Sequence, residues 1–387
     1  MPHAERLADD STGYWRAVRR EVNRCRHELT EVAGRLYPAV ARVGTTELLC
    51  RREWIPDRPL ELNDVELSWT GHPPLPAVDG SEPASAHLRP EGPDGERYRT
   101  YADALAALDP PALFENRPSY RLLAAHLAGS AGRLDLTRGR YFDGVNIGEA
   151  LAHELTARGS DRHPAGARGL PLRDLIGDPC DLSRRSAMPA ITTLTLRRAA
   201  AGDASFLLHR RDPVKVTHAG GLYQVIPVGI FQPADDNPAS EQNDLSLWRS
   251  MAREFSEELL ATGEDYQHLG SPLDYGRWPF YRRLSTARTT GRLRVSCLGM
   301  GVDPLTLAVD ILTAAVFDND LFDTAFDGLV AANAEGHVIA GQGAGGAPGL
   351  PFTGEVIDRF GGGAEPMQAA GAAILQQAWQ HRGSLLG

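Results

Sequence analysis

The stretch Arg253-Glu254-Phe255-Ser256-Glu257-Glu258-Leu259 constrains this chain more than any other part of it. A helix advances about 100° per residue, which gathers Glu254, Glu257 and Glu258 into an arc of roughly 100°. Trp248, Ala252, Phe255 and Leu259 fall on a separate, apolar face. Such a helix must bury one side against another layer while carrying three carboxylates along its edge. Like charges at i,i+3 and i,i+4 repel by about 0.2–0.5 kcal/mol per pair. A hard divalent cation reverses that sign, because Mg²⁺ prefers carboxylate oxygens and brings substrate phosphates with it. On a chain this acidic, a plain solvated helix edge has the same composition, so the neighbouring sequence has to decide.

Upstream, Val225-Ile226-Pro227-Val228-Gly229-Ile230-Phe231-Gln232-Pro233 is a short apolar run broken by Pro and Gly, as a strand running into a loop would be. Strand, glycine, loop and acidic helix follow one another in the order of the Nudix signature. That signature is a Gly, five residues, a Glu, seven residues, then Arg-Glu-apolar-x-Glu-Glu-x-Gly-apolar. Arg253, Glu254, Phe255, Glu257 and Glu258 match its second half position by position, and Gly229 matches the leading glycine. The segment resembles a divergent Nudix domain. Asp235 stands where the family has Glu, about ten extra residues separate it from Arg253, and Leu260 replaces the glycine after the glutamates.

The resemblance implies an α/β fold, an α/β/α sandwich with a mixed sheet. It also implies a hydrolase that uses Mg²⁺ (or Mn²⁺) to cleave a diphosphate linkage in a nucleoside diphosphate derivative. On that reading Glu257 and Glu258 are the principal metal ligands and Glu254 completes the set. Arg253 orients a glutamate, and Gly229 lets the backbone turn tightly. Carboxylates holding a cation suit this chemistry, since charge on the bridging phosphates must be neutralised and a water oriented. Asp235, Glu241 and Glu264 are candidates for the general base. Arg277, Trp278 and Tyr281 belong to Tyr275–Arg283, a segment of aromatics and arginines that suits stacking on a base and holding phosphate, or equally a loop whose rings plug the core. Tyr223 and the strand end His209-Arg210-Arg211 are weaker candidates for the same cleft. The alternative is a catalytically inactive Nudix-like sensing or regulatory domain, since fold does not fix function.

Composition narrows the partners. With 387 residues and a formal charge of −10, the chain is long enough for two domains, and its acidity argues against nucleic acid and anionic membrane surfaces. No apolar run reaches bilayer length, and Met1–Asp10 carries no signal-peptide core, so a cytoplasmic protein with a nucleotide-like small-molecule substrate is expected, a homodimer being left open. Cys25, Cys50, Cys180 and Cys297 form no CxxC pair, which points to reduced thiols. Lys215 is the single lysine, so protein contacts to phosphate fall to Arg or backbone N–H.

Residues 1–165 read as a mainly helical region. Apolar positions recur at three- and four-residue spacing from Val18 to Val32, a helical pattern runs from Tyr101 to Leu127, a strand covers Arg133–Phe142, and another helix covers Ile147–Ala157. A Pro/Gly-rich linker or long surface loop interrupts it at about 72–97. Within the Ile147–Ala157 helix, His153-Glu154 lacks the second histidine of a zinc motif, position 157 being Ala157. Residues 166–387 read as the Nudix-like domain, with strands at Ile191–Leu196, Phe206–Leu208, Tyr223–Val228 and Leu293–Met300, an apolar segment Leu305–Val316 and a final helix Met367–Trp379. The tract Gly341–Gly346 lacks the Lys-Ser/Thr ending of a P-loop and reads as a surface loop.

Overall fold

The computed structural model describes residues 2–387 apart from 73, 112–113, 160–168, 200–201, 212–220, 261–264, 328, 330–335 and 340–348. Gly341–Gly346, Lys215 and Glu264 therefore lie outside the described residues. Among those described, no helix is long and apolar enough to cross a membrane.

The first third of the chain runs α1 (Pro2–Arg24), α2 (Arg26–Gly34), β1 (Ala41–Arg42), β2 (Leu49–Cys50), β3 (Leu60–Glu61), β4 (Val65–Thr70), α3 (Tyr101–Leu108), β5 (Pro118–His126), β6 (Gly132–Arg140) and α4 (Tyr141–Arg158). The remainder runs α5 (Pro171–Ile176), β7 (Pro189–Arg198), β8 (Ala204–Phe206), β9 (Leu208–Arg211), β10 (Tyr223–Val225), β11 (Val228–Ile230), α6 (Pro238–Asn243), α7 (Leu247–Glu254), α8 (Pro279–Thr289), β12 (Leu293–Val302), β13 (Val309–Asp318), α9 (Asn319–Ala325), β14 (Gly336–Ile339), β15 (Leu350–Pro351), α10 (Gly354–Gly361), α11 (Ala369–Gln380) and α12 (Arg382–Leu386).

A mixed nine-stranded sheet forms the centre, in the order β1-β2-β12-β13-β7-β8-β15, with β11 also on β7 and β3 also on β12. β7 and β13 run parallel, and β12 is antiparallel to β13. These three strands read as near-continuous apolar runs because both of their faces are covered: α11 packs on β7 and β13, while α7, α8 and α9 pack on β7, β12 and β13. Two smaller sheets, β10-β9-β14 and β4-β6-β5, flank the centre.

Two expectations for the N-terminal region change. Helices α1–α4 outweigh the strands there, but Tyr101–Leu127 is helical only through Leu108, and β5 follows at Pro118–His126. Pro110 and Pro111 end the helical pattern, and the β-compatible run beyond them pairs with β6. Nor do residues 72–97 run free as a linker. Val78 N–H donates to Arg184 O at 2.8 Å, Arg121 donates to Pro74 O at 2.7 Å, and Val78, Ser85 and Leu88 are buried. The central sheet also crosses the boundary drawn near residue 165, since Leu49 pairs with Val302 and Leu60 with Cys297. Close approach requires glycine there. A Cβ on Gly299, whose φ is +131°, would lie 2.9 Å from Trp54 O, and one on Gly301 would lie 2.5 Å from the Leu48 side chain. His153 and Glu154 are structural: the Tyr101 hydroxyl and His153 Nδ1 are 3.0 Å apart, and Glu154 accepts from the Leu172 and Arg173 N–H groups that open α5.

Candidate active site

The acidic segment begins as expected. Ser246 caps α7 by accepting from Arg249 N–H at 3.3 Å, and Leu247, Trp248, Met251 and Ala252 are buried beneath the helix. From Phe255 to Leu259 the helix widens into a π turn. Its i→i+5 bonding advances each residue by less than the α-helical angle, so a wheel drawn at about 100° per residue does not hold across the glutamates. Phe255 and Leu259 are both fully buried, and the Phe255 ring lies 5.6 Å from Phe317 and 5.9 Å from Phe326.

The glutamates take separate partners. A Cβ on Gly229 would sit 1.9 Å from Glu254 Cδ, so the Glu254 carboxylate lies directly on the Gly229 backbone. Gly229 is a strand residue opposite Ile191 and is not among the glycines with positive φ. Its purpose is thus close approach of a carboxylate and not the tight turn expected of it. Glu257 accepts a short hydrogen bond from the Tyr266 hydroxyl. Glu258 accepts from Val228 N–H at 2.6 Å, pinning the helix to β11.

Arg253 is 3 % exposed and holds the loop before the helix. It donates to Gln232 O at 2.5 Å and to the Tyr275 hydroxyl at 3.0 Å, and pairs with the buried Asp244 at 3.3 Å. Asp244 also accepts from the Tyr275 hydroxyl at 2.9 Å and from Ala234 N–H at 2.7 Å. Burial alone would lower the Arg253 pKa, but the Tyr275 and Asp244 oxygens outweigh it and raise it. Arg253 thus braces Gln232, Asp244 and Tyr275.

A cavity of about 540 Å³ gathers Gly229, Arg253, Glu254 and Glu257 on its wall, together with Gln232 and Tyr266. Glu258, Arg277, Trp278 and Tyr281 do not line it. Trp278 is buried among Tyr266, Tyr275, Phe280 and Tyr281, with ring centroids 5.0–6.5 Å away, so these rings plug the core. Arg277 is exposed. Among the proposed bases, Asp235 accepts from Ser240 Oγ at 2.6 Å and Asn237 N–H at 3.0 Å; burial lifts its pKa, but the serine and backbone bonds hold it lower. Glu241 pairs with Arg138 at 2.9 Å. Neither lines the cavity.

Other residues on this wall escaped the sequence reading. Asp310, near the start of β13, opens to the cavity; burial lifts its carboxyl to about 7, against a 2.7 Å bond from Thr192 Oγ1. The signal was there, a lone carboxylate inside an apolar strand. Arg26, His27 and Thr30 from α2, Glu149 from α4, and Arg185 and Ser186 also contribute. Nothing in an arginine-rich sequence marks Arg26 or Arg185. Burial lowers the Arg185 pKa to about 10. Its bonds to Leu307 O hold a non-glycine residue at φ +56°, a conformation that costs about 1–3 kcal/mol and persists only where neighbours enforce it.

Among the described residues, no three His, Cys, Asp or Glu side chains are grouped to hold a metal ion. The cavity carboxylates Glu254 and Glu257 provide hard oxygen donors three residues apart. Such a pair fits a cation that takes one or two carboxylates and completes its shell from substrate phosphates and water, as Mg²⁺ does, and not a closed three-glutamate site.

No family model matches the chain, and no curated protein matches it. Among solved structures, the chain is similar to a Nudix hydrolase from Alicyclobacillus acidocaldarius, with 18 % identity, 49 % of this chain and 89 % of that one covered, and a TM-score of 0.28.

Proposed function

We propose that this chain is a metal-dependent hydrolase with a Nudix-like α/β/α sandwich, acting on a diphosphate linkage in a nucleoside diphosphate derivative. The observation that carries this reading is the seating of the Glu254 carboxylate on Gly229, with Glu257 beside it on the same cavity wall. A solvated helix edge has no need of a glycine in the facing strand. Glu254 and Glu257 would hold Mg²⁺ or Mn²⁺, and Glu258 would fix the helix to Val228. The bound ion supplies charge neutralisation at the phosphoryl oxygens. Arg253 keeps the Gln232–Asp244 loop in place beside the helix, as a positioning residue. Asp310, with Oδ1 held by Thr192, can hold or release a proton near neutral pH, which suits a general base.

The test is turnover of a panel of nucleoside diphosphate derivatives with Mg²⁺ or Mn²⁺, read as monophosphate release. Glu254→Gln or Glu257→Gln should lower turnover by about 100-fold or more while the melting temperature stays within a few degrees. An inert panel together with calorimetry that detects no metal binding would remove the catalytic reading.

One observation favours the sensing alternative: the Tyr266 hydroxyl already engages Glu257. Ligand-induced stabilisation without turnover, indifferent to chelator, would select it.

A further inference from the structure

Arg26 and Arg185 line the cavity, whose wall also carries the acids Glu115, Glu149, Asp303 and Asp310 besides Glu254 and Glu257. Arg19 and Arg26, both buried, converge on the single carboxylate of Glu149 at 2.6 and 3.0 Å. Arg185 is 1 % exposed and, among the described residues, donates only to backbone, at 3.2 and 2.7 Å to Leu307 O and at 3.4 Å to Asp181 O. Among the described residues no carboxylate pairs with it. A buried guanidinium without a counter-ion is strongly unfavourable unless something else supplies the negative charge.

Two further buried polar atoms on this wall lack partners among the described residues: Ser186 Oγ, in a residue 7 % exposed, and Arg26 Nε, in a residue 4 % exposed. Loop 303–308 also lines the cavity, its Asp303 carboxylate accepting from the loop's own Leu305 and Thr306 N–H groups. A Cβ on Gly148, next to Glu149, would lie 3.1 Å from Thr306 O, and Arg185 holds the following carbonyl at Leu307. The N-terminus of α11 adds the same sign. Ala369 and Ala370 line the cavity, and Gln368 offers no side-chain cap to their N–H groups.

We propose that Arg26, Arg185 and Ser186 form an oxyanion subsite for a second anionic group of the ligand, a carboxylate or a phosphate. The ligand is then anionic at two places, one group meeting the arginine wall and the other lying toward Glu254 and Glu257. Assigning the latter to a diphosphate rests on the hydrolytic reading; the arginine subsite does not.

The full-length protein, kept in chelator so that no metal takes part, is titrated by calorimetry with inorganic phosphate and separately with succinate. Saturable millimolar binding of at least one is expected, and the tighter of the two identifies the group. Ser186→Ala and Arg26→Gln should each weaken it by about tenfold, the loss of one hydrogen bond to a charged group. Arg24→Gln, a solvent-facing arginine on α1, should leave it unchanged. No saturable binding of either anion, or wild-type affinity in both cavity variants, overturns the subsite; should Arg26→Gln fail to fold, Ser186→Ala decides alone. Anion binding that persists while the nucleotide panel stays inert would discard the hydrolytic reading and keep the subsite. Turnover with an unchanged KM in Ser186→Ala would do the reverse.

Discussion

Gly229 carries the site more than any glutamate does, because there a methyl group and the Glu254 carboxylate compete for the same space. Gly229→Ala would place a Cβ within 2 Å of the Glu254 carboxyl. The Glu254 carboxylate must swing out of its seat, or the backbone must yield at about 1–3 kcal/mol for such overpacking. Turnover should fall about as far as in Glu254→Gln, measured beside a melting curve that drops by several degrees. Asp310 supplies a second test at this scale. Its folded pKa, about 7, lies above the ordinary aspartate value of 3.8, so the folded state binds the proton more tightly than the unfolded chain. The associated stabilisation is present below about pH 4 and is lost as pH rises through 7. Glu154, lifted to about 7 by burial, acts in the same direction. The decisive quantity is therefore the difference between wild type and Asp310→Asn, whose stability should fall less steeply between pH 4 and 7 in urea titrations; parallel curves would show that Asp310 ionises normally. Sequence pattern made Glu254, Glu257 and Gly229 legible because the signature fixes their spacing. Asp310 was marked only as a carboxylate in an apolar run, whereas Arg185 and Ser186 were not legible, since what distinguishes them is burial without a matching carboxylate or hydrogen-bond partner, and that arises only when distant segments meet.

Among the elements, the loop and helix around Arg253 behave as one unit. Arg253, Asp244 and Tyr275 satisfy one another in a site where both charged side chains are at most 3 % exposed. Removing one member of a buried pair strands the other and typically costs about 3–5 kcal/mol. Arg253→Met should therefore destabilise strongly, and the double variant with Asp244→Asn should recover a large part of the loss. A double-mutant cycle by urea denaturation reads the coupling, and additive losses would show that the pair is not a unit. Helix α7 was legible because its apolar face repeats at helical spacing over Leu247, Trp248, Met251 and Ala252. The π turn after it was not, for period alone does not reveal a widened turn, and Glu258 left the arc for Val228 as a result. Aromatic density in Tyr275–Arg283 fits a binding loop and a core plug equally well; the buried packing of Trp278 decides in favour of the core for that ring.

At the scale of the whole molecule, composition and pattern suggested a domain boundary near residue 165, whereas the sheet runs across it. β12 has β13 on one side and β2 and β3 on the other. Leu48, Leu49, Leu60 and Leu62 are each no more than 5 % exposed. Burying four leucines contributes about 6–12 kcal/mol, comparable to the roughly 5–15 kcal/mol of net stability a domain retains. A fragment spanning residues 166–387 loses that burial and leaves β12 with an open apolar edge, which invites aggregation. It should elute as aggregate on size exclusion and show no cooperative melt. Deleting only residues 1–34 is a different experiment. It removes α1 and α2, whose Val18 and Val22 pack in a small separate cluster with Leu155 and Leu305, and it leaves every strand of the central sheet in place. That variant should keep a cooperative, lowered melting transition while losing ligand affinity, because Arg26, His27 and Thr30 go with it. If instead the 166–387 fragment melts cooperatively and binds ligand as the full chain does, the N-terminal residues are an appendage and the cavity owes them nothing.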